Sequence, residues 1–171
     1  GNLLADRRAE YAEMLLENGE FAAAAGLMGE ALELAPDWIA GHYRHGEMLA
    51  EAGEIAAAVD AWRTVLRLDR EDRLGAALKL ELHGALDGLE AAPSAFVETL
   101  FDQYAETFDA SLVDKLGYRV PQLLEEALLR LGRDSFAHAV DLGCGTGLMG
   151  ERLRSRVSFL EGLDISAEML K

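Results

Sequence analysis

Cysteine, proline and aromatic residues are scarce in this chain of 171 residues, which has one cysteine, three prolines and 7% aromatic residues. A single cysteine cannot form an internal disulfide, so the disulfide-rich secreted class is excluded and we expect a cytoplasmic protein. No apolar run approaches the roughly 20 residues that a membrane-spanning helix needs, and no signal peptide opens the chain. The start at Gly1-Asn2, without Met, is typical of a trimmed or tagged N-terminus.

Basic residues are also in short supply. The chain has 16 Lys and Arg against 31 Asp and Glu, a net charge of −15, and no cluster of bases. Proteins hold phosphate backbones and anionic membranes with clustered Lys and Arg, so we expect neither nucleic acid nor a membrane as a partner. Half the residues are hydrophobic, which is enough to bury a core and argues against disorder.

The composition changes near residue 92. Residues 1–92 carry a net charge of −10 and most of the alanine, whereas residues 93–171 carry −5. Pro93-Ser94 interrupts the chain at the same place. We therefore predict two domains, 1–92 and 93–171.

The first half contains an internal repeat of 34 residues. Shifted by that distance, residues 13–36 match residues 47–70 at 11 of 24 positions. The matches include Gly19-Glu20 with Gly53-Glu54, and each pair lies between two amphipathic runs, where one helix ends and the next begins. The pattern predicts two similar pairs of helices.

A 34-residue period of paired helices resembles the tetratricopeptide repeat (TPR) family, with units at about 5–38 and 39–72. Pro36 fits the end of the first unit, but the second unit has Arg70 there. Residues 73–90 are predicted to form a capping helix. The small, aromatic and alanine positions of the family fall on Ala12 and Gly46, on Phe21 and Ile55, and on Ala24 and Ala58.

The TPR resemblance implies a peptide groove lined by the first helix of each unit. Glu13/Glu17 and Glu47/Glu51 in that groove are i,i+4 pairs, which repel mildly unless a cation satisfies them. A basic peptide, or a second copy of the chain, would suit such a surface. A solvated acidic face with no partner explains the same residues. The matching groove positions are Asp6, Glu13, Glu17, Tyr43, Glu47 and Glu51.

Two histidines have a spacing that metal sites use. His42 and His45 lie three apart on a predicted helix. No third ligand is evident by spacing, and position 45 falls on a packing site of the repeat. We expect core or surface histidines and no metal.

The second half shows the order strand, glycine loop, helix, strand, acid. Residues 136–142 and 157–163 are apolar runs of strand type, and the first is followed by Gly143-Cys144-Gly145-Thr146-Gly147. Asp164 ends the second strand, where its carboxylate can accept hydrogen bonds from a ribose diol. Ser166 is predicted to cap a helix. This order is typical of the first half of a doubly wound nucleotide-binding fold, whose glycines let the backbone approach a ligand.

Two cofactor families share this geometry. Gly145-Thr-Gly147-Leu-Met-Gly150 matches the dinucleotide pattern G-x-G-x-x-G, which would indicate a NAD(P)-dependent oxidoreductase. Asp141-Leu-Gly143-Cys-Gly145-Thr-Gly147 resembles the first motif of class I S-adenosylmethionine-dependent methyltransferases, and Leu163–Ser166 with Met169-Leu170 resembles their second-strand motif.

A third block strengthens the methyltransferase resemblance. The segments 101–109 and 116–121 resemble the stretch that precedes the first strand in members that methylate small molecules or proteins. Three blocks in the right order favour this family over the oxidoreductase. The resemblance implies S-adenosyl-L-methionine as cofactor, bound by Tyr104, Asp141, Gly143, Gly145, Gly147, Asp164, Ile165 and Met169.

The resemblance also implies a role for each of these residues. The three glycines would form the floor under the methionine part of the cofactor, Asp141 would help hold its amino group, and Asp164 would bind the ribose hydroxyls. Ile165 and Met169 would lie against the adenine. Tyr104 would close over the cofactor from the preceding helix.

For two further residues of this region, ordinary packing is an alternative to a functional role. Phe108 would close over the cofactor together with the preceding helix, and ordinary helix packing is an equal alternative. Cys144 is expected to be a small buried filler, because no His-Asp pattern accompanies it as a nucleophile would require. No catalytic residue is assigned.

The chain as a whole resembles a bacterial TPR methyltransferase: an α-helical repeat stack followed by the first part of an α/β Rossmann-like domain. The fold of that family continues with further strands that supply the remaining adenine contact and the pocket for a small-molecule or protein acceptor. We therefore expect this chain to be the N-terminal part of a longer enzyme and to be inactive alone. The alternatives are a TPR scaffold with a degenerate or incomplete nucleotide-binding half and, less favoured, the oxidoreductase.

Overall fold

In the computed structural model, which describes residues 2–171, the chain is mostly helical and has a small two-stranded parallel sheet. It divides into two compact units, Gly1–Phe96 and Val97–Lys171, so the division falls a few residues beyond the boundary predicted near residue 92. Within the described residues no helix has the length and apolar character needed to cross a membrane.

The first unit is a succession of α-helices in which each helix packs on the next one along the chain. The second and fourth helices begin and end at positions that differ by 34 residues, which is the period of the sequence repeat. The helices are α1 (Leu3–Glu17), α2 (Phe21–Leu34), α3 (Ile39–Glu51), α4 (Ile55–Leu68) and α5 (Ala76–Leu82).

The turns from α1 to α2 and from α3 to α4 are built alike. Gly19 and Gly53 have φ angles of +80° and +81°, a left-handed conformation that glycine adopts without steric cost. In both turns the N–H of the glutamate that follows donates to the carbonyl five residues earlier, at 2.9 Å and 2.8 Å. This hydrogen bond closes the end of the helix. The repeat in the sequence is therefore also a repeat in backbone geometry.

Small residues let these helices approach closely. Ala12, Ala24 and Ala58 are fully buried. Gly46 takes the equivalent place in the second pair, and a Cβ built on it would lie 2.4 Å from Nε1 of the buried Trp62. By contrast, the two positions that the TPR resemblance assigns to an aromatic residue are more than a third exposed, at 37% for Phe21 and 38% for Ile55.

The helix predicted over residues 73–90 is shorter than expected. It begins at Ala76, where the buried Asp72 carboxylate accepts the N–H groups of Ala76 at 2.6 Å and Ala77 at 2.9 Å. It ends at Leu82 because Gly84 takes a φ of +67°, which no helix continues through. The prediction of a helix to residue 90 was therefore wrong beyond Leu82.

The second unit begins within the sixth helix of the chain and contains two strands, with a short helix between them and a turn after the second. Its helices are α6 (Ser94–Tyr104), α7 (Val120–Arg130) and α8 (Leu148–Leu153), with 3₁₀ turns at Ala105–Thr107 and Arg154–Arg156 and a π-helical segment at Ala110–Lys115. The strands are β1 (Phe136–Leu142) and β2 (Val157–Leu163).

The sheet of the second unit has the predicted strand bounds. Its strands pair in parallel, with Asp141 opposite Gly162 and Leu142 opposite Leu163. The helix expected after Ser166 is only a turn, although Ser166 Oγ accepts the N–H of Met169 at 3.2 Å as a capping residue would. The parallel pairing brings the glycine loop after β1 next to the residues that follow β2.

Two glycine-to-alanine substitutions test the close packing of the first unit. Gly46→Ala should lower its free energy of unfolding by about 1–3 kcal/mol, because the methyl group has to displace the buried indole of Trp62. The control Gly26→Ala lies in α2 with nothing near its Cβ position, and should stabilise the unit by about 0.5–1 kcal/mol.

Urea unfolding followed by tryptophan fluorescence measures both changes, since Trp38 and Trp62 belong to the first unit. A Gly46→Ala variant as stable as the parent chain would contradict the packing described for α3 and α4.

Candidate functional site

The glycine loop folds back on the end of β2. The N–H groups of Gly143 and Cys144 both donate to the carbonyl of Leu163, at 2.7 Å and 3.1 Å. Gly143, Gly145 and Gly147 have φ angles of +73°, +54° and +91°, all in the left-handed region that favours glycine. The loop therefore needs these three glycines for its own conformation, whatever it binds.

Asp164 ties the loop to the segment that follows β2. Its Oδ2 accepts the N–H of Gly145 at 2.8 Å, and its Oδ1 accepts the N–H of Ser166 at 2.9 Å. Each carboxylate oxygen has a second lone pair, so the group retains acceptor capacity for a ligand. Asp164 thus has a structural task in addition to the binding task predicted from the sequence.

A cavity of about 490 Å³ lies beside the loop. Its size falls within the range of roughly 300–1,000 Å³ that small-molecule sites occupy. Five of the eight residues predicted to bind a cofactor line it, and so does Phe108. The complete lining is Val97, Phe101, Phe108, Gly143, Gly145, Leu163, Asp164, Ile165 and Met169.

A second cavity of about 170 Å³ contains Asp141. It shares Phe108, Gly143 and Gly145 with the first, so Phe108 borders both. Within residues 2–171, Asp141 Oδ2 and Arg156 Nε are the buried side-chain atoms that lack a hydrogen-bond partner. Burying a carboxylate oxygen without a donor is costly, so the Asp141 atom marks a place where a donor from outside the chain would be stabilising.

Two of the predicted site residues line neither cavity. Tyr104 is 51% exposed, and Gly147 is the N-cap residue immediately before α8. Two phenylalanines line the first cavity instead: the ring of Phe108 lies 3.5 Å from the Cβ position of Gly145 and packs edge-on against Phe101, with 6.1 Å between the ring centroids.

Sequence reasoning missed the contribution of α6. Val97 and Phe101 line the first cavity although only the later part of this segment was predicted to bind a cofactor. The two residues are four apart and therefore lie on one face of the helix. That apolar spacing was the available signal.

Cys144 fills space between the loop and β2. A Cβ on Gly162 would lie 2.8 Å from its Sγ, so the thiol occupies the room that the glycine leaves. Burial and the nearby carboxylates of Asp164 and Asp141 raise the pKa of Cys144. A raised pKa keeps the thiol protonated near neutral pH, which disfavours a role as nucleophile.

The charge of the site distinguishes between classes of ligand. Asp141 and Asp164 line the two cavities, and no Lys or Arg is among the lining residues. The loop N–H groups of Gly143, Cys144, Gly145 and Gly147 all have partners within the chain. The two acids and the lack of a cation among the lining residues make both cavities more suitable for a ligand with a positive charge.

In the first unit, two cations of the chain satisfy part of the acidic face. Arg44 donates to Glu13 at 2.8 Å and 2.5 Å and to Glu47 at 2.5 Å, and Lys79 donates to Glu47 at 2.8 Å. Burial alone would raise the pKa of Glu47, but the hydrogen bonds from Lys79 and Arg44 outweigh it and lower that pKa. The predicted repulsion on this face is thus relieved within the chain at Glu13 and Glu47.

The other predicted groove residues divide into two groups. Tyr43 is half-buried under Lys79, whose Nζ lies 5.7 Å from the ring centroid. Asp6, Glu17 and Glu51 are exposed and form no ion pair with any residue from 2 to 171. These three carboxylates are the part of the face that a basic partner would meet.

The two histidines of α3 have separate surroundings. His42 Nε2 lies 2.8 Å from the carbonyl oxygen of Pro36. Burial and the nearby His42 lower the pKa of His45. The part of the chain that the structure describes contains no group of three or more His, Cys, Asp or Glu side chains placed to hold a metal ion.

Comparisons of the chain with protein-family models, with curated proteins and with solved structures gave no match. What the site does has to be inferred from its residues. The informative features are the glycine loop, the two acids beside it and the apolar cavity.

Replacing Asp164 tests its structural task. Asp164→Ala should loosen residues 143–147, because two hydrogen bonds to a charged acceptor are lost, at a cost of about 1–3 kcal/mol. Hydrogen exchange followed by mass spectrometry on the full chain should show faster exchange in this loop. The control Asp134→Ala removes an exposed carboxylate before β1 and should leave the loop unchanged. Equal exchange in the two variants would mean that the glycine loop holds itself.

The Glu47 ion pairs predict a pH dependence in the first unit. A pKa below the ordinary value means that these pairs stabilise the unit above about pH 4.3, and that this stability is lost as the pH falls through the lowered pKa. Glu47→Gln should therefore unfold more easily than the parent chain at pH 7, and the difference should shrink toward pH 3. Urea unfolding between pH 3 and 7 measures it, with the exposed Glu51→Gln as the control that follows the parent chain. Parallel curves for Glu47→Gln and the parent would contradict this assignment.

Proposed function

We propose that the second unit binds S-adenosylmethionine and that the chain belongs to an S-adenosylmethionine-dependent methyltransferase. The observation that carries the proposal is the buried Oδ2 of Asp141, a residue of the second cavity, because this oxygen has no donor within the described residues. The ammonium group of the cofactor is a charged donor, and a charge-assisted hydrogen bond to Asp141 would offset the cost of burying that oxygen.

The first cavity, which shares Phe108, Gly143 and Gly145 with the cavity of Asp141, fits the other parts of this cofactor. Ile165, Met169 and Phe101 supply an apolar lining for the adenine ring. The free lone pairs of Asp164 are available to ribose hydroxyls, while its N–H contacts keep the carboxylate in place. When bound, the cofactor supplies a methyl group that is already activated as a sulfonium, so the protein chiefly has to align an acceptor with it.

The same features disfavour the oxidoreductase alternative. NAD and NADP carry a pyrophosphate, and the two cavities offer it no cation and no free N–H from the four loop residues described above. S-adenosylmethionine carries a positive sulfonium and a positive ammonium besides one carboxylate, so its net charge is positive and Asp141 would stabilise the ammonium. The sign of the charge in the site therefore favours methyl transfer over hydride transfer.

The first unit extends this proposal to a partner. Its paired helices and 34-residue geometry support a TPR-like interaction module, and the exposed Asp6, Glu17 and Glu51 would receive a basic peptide or a second copy of the chain. The methyl acceptor is then a small molecule or a protein side chain. A cytoplasmic location stays part of the proposal because of the single cysteine. If the chain is chiefly a scaffold, the same surface binds the partner and the second unit binds no ligand.

Asp141→Asn tests the proposal through ligand affinity and stability. Calorimetric titration of the parent chain with S-adenosylmethionine should give saturable heat, and the substitution should weaken binding by about 1.5–3 kcal/mol, or roughly 10-fold to 150-fold. Stability of the second unit should stay about the same, because Asp141 is only half-buried and no hydrogen bond of its Oδ2 within the chain is lost. Asp134→Asn is the control and should change neither quantity.

The titration also separates the alternatives. Saturable heat with NAD and none with S-adenosylmethionine would favour the oxidoreductase. No heat with either would favour the scaffold. Unchanged affinity together with lower stability in Asp141→Asn would show that Asp141 is structural.

A further inference from the structure

Residues 101–109 are held against the glycine loop and the residues after β2 by two hydrogen bonds. In each of them a hydroxyl donates to a carboxylate. Ser166 Oγ donates to Asp102 Oδ1 at 2.5 Å, which joins α6 to the residues after β2. Thr146 Oγ1 donates to Asp109 Oδ1 at 2.6 Å, which joins the residues after α6 to the glycine loop. The segment is thus held at two places, by the residues after β2 and by the glycine loop.

The two hydrogen bonds differ in their exposure to water. Ser166 is fully buried and also accepts the N–H of Met169, while Asp102 is half-buried and also lies 3.4 Å from the N–H of Glu168. Asp109 and Thr146 are both exposed. Water competes for an exposed hydrogen bond, so its net contribution is small, whereas breaking a buried one leaves a polar group unsatisfied. The hydrogen bond between Ser166 and Asp102 is therefore the more stable of the two, and the hydrogen bond between Thr146 and Asp109 breaks more easily.

The weaker hydrogen bond is next to Phe108, the one side chain that lines both cavities; the other two shared residues are glycines. Phe108 borders the cavity with Asp164 and the cavity with Asp141 and lies against Gly145. The backbone on either side of it is a 3₁₀ turn, Ala105–Thr107, and a π-helical segment, Ala110–Lys115. Both have poorer hydrogen-bond geometry than an α-helix, so local opening costs less there.

We propose that Asp109 and Thr146 form a releasable clasp that positions Phe108 over the bound ligand, while Asp102 and Ser166 anchor the segment and stay closed. Release of the clasp lets residues 105–115 move with Phe108, and this joins the two cavities for entry and exit of the ligand. Asp109 and Thr146 act through Phe108 and are positioning residues. The identity of the ligand rests on the proposed function, but the clasp itself does not.

Amide hydrogen exchange of the full chain without ligand tests the clasp. Thr146→Val removes the donor and keeps the shape, and should speed exchange in residues 105–115 about fivefold, the factor that corresponds to a hydrogen bond of modest strength. Thr146→Ser keeps the hydroxyl and should restore the parent rate. Ser166→Ala should instead speed exchange in residues 97–104 and 165–171, and Asp102→Ala serves the same purpose if that variant fails to fold.

Three results would overturn the clasp: an unchanged rate in Thr146→Val, an equal increase in Thr146→Ser, or an increase spread over the whole second unit. In a second arm, Thr146→Val should raise the dissociation rate of S-adenosylmethionine about fivefold, with Thr146→Ser at the parent value. Parent chain that binds no S-adenosylmethionine would overturn the proposed function only, because the exchange experiment decides the clasp without any ligand.

Discussion

The second unit depends on the contact between the Asp164 carboxylate and the glycine loop. Because β1 and β2 pair in parallel, their carboxyl ends lie at the same edge of the sheet. Among the described residues no third strand pairs with either of them. Asp164 joins them by accepting one N–H from the loop and one from the segment after β2. The position of the cavity, of Ser166 and of the segment that Ser166 anchors all follow from this junction.

Much of the fold was predictable because the signals are local. The strands are apolar runs that end in a glycine or an acid, and the helix pairs are separated by glycines that take a left-handed conformation, so both follow from neighbouring residues. The prediction of a helix to residue 90 was wrong because it followed hydrophobic periodicity, whereas Gly84 with its positive φ ends the helix. The prediction of a helix after Ser166 was wrong because one capping hydrogen bond does not stabilise a helix of several turns, and only a single turn forms there.

The candidate site was predictable only in part. Its glycines and acids lie in two contiguous motifs, and five of the eight predicted residues line one cavity. Which aromatic residues face the cavity depends on the face of α6 that is turned inward and on where that helix ends, and the structure has Phe101 and Phe108 at the cavity and Tyr104 exposed. The partners of the acids are even less visible in the sequence, since Arg44 reaches Glu13 from another helix and Ser166 reaches Asp102 from 64 residues away.

These acids show why a count of charges says little about function. Glu13 and Glu47 are satisfied by Arg44 and Lys79, and Asp164 is satisfied by backbone N–H groups. Each of these carboxylates therefore has a sufficient structural explanation. Asp141 belongs to the same class of residue and has a buried oxygen that no donor in the described chain reaches. Buried polar atoms usually have a partner, so the unsatisfied acid, rather than the acidic composition, is the feature on which the proposed binding of a positively charged ligand rests.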